Sequence, residues 1–286
     1  MASFQPDFIY WSHSYLAAVG SRKLETSAYQ IVEFANIERD RFLSISKRGT
    51  LKHRASAFVE FLKACRWERR IARGMDLCVA ISSTDEKVLN SFGGKSVLVE
   101  NALPGSPWQL SPDDAVVMSI ANWDYGPNRE GMTYFLDTDW HTVLEALPEA
   151  KLVLAGNGSV EIAERFSHLN NVAGVGFADD LTELFNNSTL FLAPARSGAG
   201  RQLKVAEALG HARAVVGPPF LNRERRPGLP DDAINGSDDV AAEIIRKIQN
   251  LNDRHIVEKK IAQYALQHDW QFETASLRGW MKGKQA

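Results

Sequence analysis

The sequence predicts an α/β protein with two Rossmann-like, doubly wound parallel-sheet domains. Short apolar runs recur along the chain and alternate with segments whose apolar residues have helical spacing. This alternation is typical of parallel strands that are buried on both faces. A segment with three prolines, at 103–112, interrupts the alternation, which then restarts. The length of 286 residues suits two domains better than one.

The part of the chain before the prolines contains several strands and helices. The predicted strands are 8–11, 29–34, 77–81 and 97–99, and the predicted helices are 14–19 and 56–73. The second helix is indicated by Phe58, Phe61 and Leu62, which recur at helical spacing. Ser82, with Asp85 three residues later, predicts the start of another helix because a serine side chain can cap the first turn.

The part of the chain after the prolines repeats the pattern. Its predicted strands are 115–120, 151–155, 172–175, 189–193 and 214–216, and its predicted helices are 140–147, 162–169, 181–186, 240–251 and 254–268. Because the prolines mark the linker, we assign residues 1–104 to the first domain and residues 105–265 to the second.

The composition excludes several classes of protein. A formal net charge of −2 is unlike that of a general nucleic-acid-binding protein, whose domain is normally basic. No apolar run is long enough to predict a membrane-spanning helix, and residues 1–10 lack the features of a secretory signal, so we expect a cytoplasmic protein. Cys65 and Cys78 indicate no disulfide framework, and the scattered histidines and cysteines indicate no metal site.

The most informative segment for function is a glycine-bearing loop that opens a helix. Gly198 and Gly200 would let backbone N–H groups approach a ligand, and the helix N-terminus behind them favours negative charge. Arg201 and Lys204 add positive charge, and Glu207 follows about two helical turns past the loop. This combination favours a nucleotide-sugar site. The alternative is a tight strand–helix turn with a solvated basic face.

A second glycine turn, Gly156-Asn157-Gly158-Ser159, follows the strand predicted at 151–155. It lacks the third glycine of the dinucleotide motif and does not follow the first strand of its domain, so it does not indicate NAD binding. Two interpretations stay open, a turn that needs positive φ and a loop that faces a ligand cleft.

Several segments also match, in the same order along the chain, the motifs of one enzyme family. They are 76–82, 99–102, 119–131, 140–156, 175–181 and 198–208. Among them, Gly198 and Gly200 with Lys204 and Glu207 resemble the pattern G-x-G-x-x-x-K-x-x-E-A. Taken together, the segments resemble the group 1 glycosyltransferases, retaining enzymes of the GT-B fold. The resemblance implies two domains of that fold and transfer of a sugar from a nucleotide-diphosphate-sugar.

The resemblance implies roles for individual residues of the loop and helix. Glu207 would accept hydrogen bonds from the ribose hydroxyls of the donor. Gly198 and Gly200 would bring backbone N–H groups to the diphosphate and the sugar, and Lys204 or Arg201 would neutralise the phosphate charge. The alternatives are a surface ion pair between Glu207 and Lys204, or a solvated Lys204.

Four further residues receive roles from the resemblance. Phe177 would lie at the nucleobase, and Asn122 and Asn128 would belong to the donor site. His13 occupies the position of a histidine that faces the cleft in relatives, where it would be a general base or a sugar contact. The alternative for His13 is a polar loop residue.

Two departures from the family pattern affect the expected activity. Many relatives carry another glutamate eight residues before Glu207, where this chain has Ala199. The first residues resemble a later strand of the family's first domain, so that domain is expected to be incomplete. By the same resemblance, residues 266–286 would form a helix that crosses back to it. Trp270 and Trp280 are then expected to be largely buried, at least one of them against residues before position 105.

The function expected from the sequence is that of a metal-independent glycosyltransferase, hexosyl-type and retaining, in glycan biosynthesis. It would use a nucleotide-sugar as co-substrate and no other cofactor, and a glycan, a lipid or another acceptor. One alternative is a non-catalytic nucleotide-sugar-binding subunit or pseudoenzyme, whose first domain a protein partner or a peripheral membrane contact would complete. Another is a different GT-B reaction, such as nucleotide-sugar epimerisation.

Overall fold

The computed structural model describes residues 5–20, 26–46, 50–169, 171–198 and 201–285. Contacts between residues divide the chain into two units. The first unit comprises Met1–Asn101, Ala199–Arg201 and Trp270–Ala286, and the second comprises Ala102–Gly198 and Gln202–Asp269. Within the described parts of the chain, no helix is both long and apolar enough to cross a membrane.

The described residues form a regular succession of strands and helices. The strands are β1 (Phe8–Trp11), β2 (Tyr29–Phe34), β3 (Leu77–Ala80), β4 (Ser96–Leu98), β5 (Val116–Ile120), β6 (Lys151–Ala155), β7 (Val172–Gly174), β8 (Leu190–Leu192), β9 (Val215–Gly217) and β10 (Ile234–Gly236). The helices are α1 (Ser14–Gly20), α2 (Glu38–Ser46), α3 (Leu51–Gly74), α4 (Ser83–Ser91), α5 (Gly126–Thr138), α6 (Trp140–Ala146), α7 (Ser159–Arg165), α8 (Thr182–Asn186), α9 (Leu203–Gly210), α10 (Val240–Gln249), α11 (Leu251–Gln267), α12 (Trp270–Glu273) and α13 (Ala275–Gln285). Short 3-10 helices lie at Pro219–Glu224 and Asp231–Ala233.

The first unit contains a parallel sheet with the strand order β1-β2-β3-β4. Side chains alternate between its two faces, as the two-residue period of a strand requires. Val32 and Cys78 belong to a core that includes Ile71 of α3. Ile31 and Leu77 belong to the core on the other face, against which α13 packs. Helices therefore cover both faces of this sheet.

The second unit contains a parallel sheet with the strand order β10-β9-β8-β5-β6-β7. The chain enters the sheet at β5 and moves outward through β6 to β7. It then returns to place β8 on the other side of β5, and it continues outward through β9 to β10. The strand order therefore reverses between β5 and β8. The α/β fold class with two parallel sheets, predicted from the sequence, is confirmed.

The structure differs from the sequence prediction at several elements. The helices α2 and α5 and the strand β10 were not predicted, and α7 begins three residues earlier than expected. The strand β10 contains the polar Asn235, and it forms through its pairing with β9, which is a contact distant in sequence. The helix α5 opens with Gly126 and Pro127, and both residues normally signal a turn, although proline also suits the first turn of a helix.

The two tryptophans near the end of the chain have different environments. Trp280 lies on α13, is half-buried and packs against Phe8 and Tyr29, with ring centroids 6.2 and 5.9 Å away. Trp270 is 61% exposed, so the prediction that both tryptophans are largely buried is wrong for this residue. It lies on the four-residue helix α12, whereas the residues that pack on the first sheet from this end of the chain, Leu277, Trp280 and Met281, lie on α13.

Replacing Trp280 by alanine is expected to destabilise the protein by about 2 kcal/mol, less than a fully buried tryptophan would cost because its ring is half-buried. Denaturant unfolding followed by circular dichroism measures the change. The matched control is Trp270→Ala, which removes the same side chain from an exposed position. It should change the free energy of unfolding by less than about 0.5 kcal/mol, the usual range for surface substitutions. Equal losses for the two variants would contradict the packing described here.

Candidate functional site

A cavity of about 330 Å³ lies in the second unit, beside the carboxyl ends of β5, β6 and β7 and the first two turns of α9. Its lining residues are Ile120, Ala121, Asn122, Gly156, Asn157, Phe177, Ala178, Leu181, Leu203, Lys204 and Glu207. In open α/β sheets, ligands bind at the carboxyl ends of the strands where the strand order reverses. The cavity has this position, and four of the predicted site residues, Asn122, Phe177, Lys204 and Glu207, line it.

The turn after β6 forms one wall of the cavity through a close approach of two backbone segments. Gly156 has φ +99°, and a Cβ atom at this position would lie 2.1 Å from the carbonyl oxygen of Ala121. Its N–H donates a hydrogen bond to the carbonyl of Gly176 at 2.7 Å. Only glycine fits this position. The positive φ expected of this turn is confirmed, and Gly156 and Asn157 also line the cavity.

Lys204 supplies the positive charge of the cavity from the first turn of α9. Its Nζ donates a hydrogen bond to Oδ1 of Asn128 at 2.6 Å, and the amide of Asn128 donates to the carbonyl of Asn122 at 3.0 Å. Burial lowers the pKa of Lys204 to about 8, an effect that the Glu224 carboxylate partly opposes. Lys204 is therefore held by Asn128 and partly desolvated, unlike the solvated helix lysine that the sequence left open.

Glu207 lies one turn further along α9 and brings a carboxylate to the same cavity. Its side chain is 35% exposed, and its Oε1 lies 3.3 Å from Nε2 of His211. The position of Glu207 follows from its spacing, because residues three apart on a helix share a face. A cation and a carboxylate are thus presented side by side by consecutive turns of one helix.

Part of the cavity lining is an apolar wall. Phe177, which is 70% exposed, stands beside Ala178 and Leu181, and Leu203 adds a further apolar side chain. An apolar wall beside a few convergent polar groups is typical of small-molecule sites, because the wall removes apolar ligand surface from water while the polar groups fix its orientation.

The structure does not gather every predicted site residue around this cavity. Gly198 belongs to the second unit, and its carbonyl accepts a hydrogen bond from Arg223 at 3.4 Å. Gly200 lies outside the described residues. Arg201 belongs to the first unit, where it forms an ion pair with Glu100.

His13 lies in the first unit, directly before α1. Its ring stacks on that of Tyr15 with the centroids 4.7 Å apart, and its Nδ1 accepts a hydrogen bond from the Tyr15 N–H at 3.3 Å. In the neutral ring this arrangement leaves the proton on Nε2, so His13 presents a donor on its other side.

Sequence reasoning missed two features of the site. Asn128 was expected in the donor site, but its support of Lys204 was not: the described hydrogen bonds of its side chain are to Lys204 and to the Asn122 carbonyl. His211 was counted among the scattered histidines, although its spacing of four residues from Glu207 could have indicated the contact. Among the described residues, no group of three or more His, Cys, Asp or Glu side chains is arranged to hold a metal ion.

Comparison with known proteins agrees with this architecture. Residues 114–253 match the family described as "Glycosyl transferases group 1". No protein among those with curated functions matches the chain in sequence.

Solved structures match nearly the whole chain. The fold is similar to that of Anabaena Alr3699/HepE in complex with UDP, with a TM-score of 0.72, 15% identity and coverage of 97% of this chain and 79% of that chain. Sucrose-phosphate synthase from Thermosynechococcus elongatus has a TM-score of 0.72, 12% identity and coverage of 97% and 73%. S. aureus TarM has a TM-score of 0.63, 13% identity and coverage of 92% and 52%, so this chain spans about half of its length.

The desolvation of Lys204 predicts a pH-dependent stability. Between about pH 8 and 10.5 the unfolded chain holds a proton that the folded protein has released, so folding becomes more favourable as pH rises through this window. Lys204→Met removes this term. The unfolding free energy of wild type minus that of Lys204→Met is therefore expected to increase from pH 7.5 to pH 10, as measured by urea denaturation at each pH.

The control for this experiment is Lys151→Met, which changes an exposed lysine at the start of β6. Its difference from wild type should stay constant across the same pH range. A constant difference for Lys204→Met as well would show that Lys204 is solvated.

Proposed function

We propose that this chain, whose residues 114–253 match the group 1 glycosyltransferase family and whose fold is similar to that of HepE, transfers a hexosyl sugar from a nucleotide-diphosphate-sugar donor to an acceptor. The observation that carries the proposal is the cavity in which Lys204, Glu207 and an apolar wall meet. HepE has been crystallised with UDP and with UDP-glucose, and UDP is therefore the first nucleotide to test.

Each part of a nucleoside diphosphate finds a complementary group in the cavity. The ionised carboxylate of Glu207 suits the ribose hydroxyls, because a carboxylate only accepts hydrogen bonds and hydroxyls can donate them. The ammonium of Lys204 and the N-terminus of α9 suit the diphosphate. Phe177 and Leu181 suit a flat base. The volume of about 330 Å³ is at the lower end for small-molecule sites, about 300–1,000 Å³.

The proposed reaction exchanges one bond at the anomeric carbon of the sugar. The bond from this carbon to the diphosphate oxygen breaks, and both electrons leave with the diphosphate. A bond forms from the acceptor's nucleophilic atom, whose proton passes to the leaving diphosphate, and the configuration at the carbon is retained. Because negative charge grows on the leaving diphosphate, a cation held in place before the reaction stabilises the transition state. Lys204, fixed by Asn128, is that cation in this proposal.

His13 enters the proposal as a contact to a sugar hydroxyl. Its Nδ1 accepts the Tyr15 N–H, which favours Nε2 as a hydrogen-bond donor. This tautomer supports a contact to a sugar hydroxyl rather than proton abstraction, because a protonated nitrogen cannot act as a general base.

Glu207→Ala is expected to weaken UDP binding about 10-fold or more, since hydrogen bonds to a charged group contribute roughly 1.5–3 kcal/mol. Isothermal titration calorimetry measures the dissociation constant. Glu145→Ala, which changes an exposed glutamate on α6, is the control and should bind UDP like wild type. Unchanged affinity in Glu207→Ala would remove this residue from the site.

Donor binding is expected to need no divalent metal, because Lys204 and the α9 N-terminus already supply positive charge to the diphosphate. The test compares UDP-glucose affinity in EDTA, in magnesium and in manganese. Equal affinities within a factor of two support the proposal. Binding that disappears in EDTA and returns with manganese would show that the site uses a metal.

The second candidate function is a non-catalytic nucleotide-sugar-binding subunit, in which Ala199 stands at the position of the other glutamate that many relatives carry. Incubation with UDP-glucose, with release of UDP as the readout, separates the two functions. Slow release of UDP through hydrolysis or transfer supports an enzyme. Tight binding of UDP-glucose with no release, also when candidate acceptors are added, supports the subunit.

A further inference from the structure

His211 is a buried histidine whose ring lies beside Glu207, a residue that lines the cavity. It follows α9, is 2% exposed and stacks on Phe185 with the ring centroids 4.4 Å apart and an interplanar angle of 13°. Its Nε2 lies 3.3 Å from Oε1 of Glu207, at the long end of hydrogen-bonding distances. The ring therefore reaches the carboxylate from the protein interior.

The end of α9 fixes the backbone of His211. Ala212 has φ +58°, and its N–H donates to the carbonyl of Leu209 at 3.0 Å, while the Arg213 N–H donates to the carbonyl of Ala208 at 2.8 Å. These two hydrogen bonds form a Schellman motif, with alanine at the position that usually holds glycine. The motif sets the direction in which the His211 ring leaves the helix.

Arg213 holds Phe185, the residue on which the His211 ring stacks. This arginine is fully buried, and its Nε donates to the carbonyls of Phe185 and Ser188, both at 2.9 Å. Its Nη1 also lies 3.4 Å from the carbonyl of His211. The same guanidinium thus holds both members of the stack between His211 and Phe185, which leaves the imidazole little freedom to move.

The surroundings of the ring assign its tautomer. Nδ1 of His211 is buried and has no hydrogen-bond partner in the described parts of the chain. A proton on Nδ1 would leave a buried N–H donor unpaired, which proteins rarely tolerate. The neutral ring therefore carries its proton on Nε2, the nitrogen that lies 3.3 Å from Oε1 of Glu207.

We propose that His211 is a positioning residue that holds the Glu207 carboxylate toward the cavity, so that one oxygen accepts the imidazole N–H and the carboxylate's remaining lone pairs accept ribose hydroxyls. This inference rests on the proposed function and adds a selectivity to it. A glutamate with a fixed rotamer loses less conformational freedom when ligand binds. The gain applies only to nucleotides that carry the ribose hydroxyls, so His211 favours ribonucleotides over dideoxynucleotides.

The experiment compares UDP with its 2′,3′-dideoxy analogue in titration calorimetry. His211→Phe keeps a ring that can stack on Phe185 and removes the donor. We expect its UDP dissociation constant to rise 3- to 10-fold and that of the dideoxy analogue to change less than 2-fold. His211→Gln, whose amide N–H can replace Nε2, should restore at least half of the loss on a logarithmic scale. Equal losses for both nucleotides, or no loss for either, would overturn the proposal.

A measurement on the wild-type protein keeps the proposal testable if the phenylalanine variant does not fold. The ¹⁵N shifts of labelled histidine report the tautomer, and the signal assigned to His211 is expected to show a protonated Nε2. A protonated Nδ1 would overturn the proposal. Failure of the proposed function has a different signature, because wild-type protein would then bind neither nucleotide.

Discussion

The candidate site depends on the pairing of β5 with β8. Val117 and Met118 pair with Leu190 and Phe191, and the Ser119 hydroxyl donates to the carbonyl of Leu192 at 2.7 Å. This pairing places the second half of the sheet on the other side of β5 and reverses the strand order. In open α/β sheets, such a reversal leaves a crevice at the carboxyl ends of the strands. The helix α9, with Lys204 and Glu207, follows from β8 and borders this crevice.

Much of the fold was predictable because its strands are short apolar runs separated by helices. The run at 29–34 coincides with β2, and that at 151–155 with β6. The elements that were missed depend on contacts distant in sequence. Ile234–Gly236 becomes a strand only beside β9, since Asn235 and Gly236 have little strand propensity. The local sequence predicts burial for both Trp270 and Trp280. Only the packing of α13 on the first sheet distinguishes the half-buried Trp280 from the exposed Trp270.

The candidate site was predictable where one helix carries its residues, because the spacing of Lys204 and Glu207 fixes their common face. The support behind these side chains was not predictable. Asn128 reaches Lys204 across 76 positions, and the His211 ring acquires its direction from a stack on Phe185. The desolvation that lowers the pKa of Lys204 also arises from packing, which the local sequence does not reveal. Asn128 on α5 and Phe185 on α8 thus connect α9 to two other helices of the second unit.

The central claim is that the cavity beside β5 and α9 is the nucleotide site, and a crystal structure of the protein soaked with UDP tests it most directly. The account predicts electron density for the ribose at the Glu207 carboxylate, for the diphosphate at Lys204 and the N-terminus of α9, and for the base against Phe177 and Leu181. Density for UDP at another place, with this cavity empty, would contradict the account.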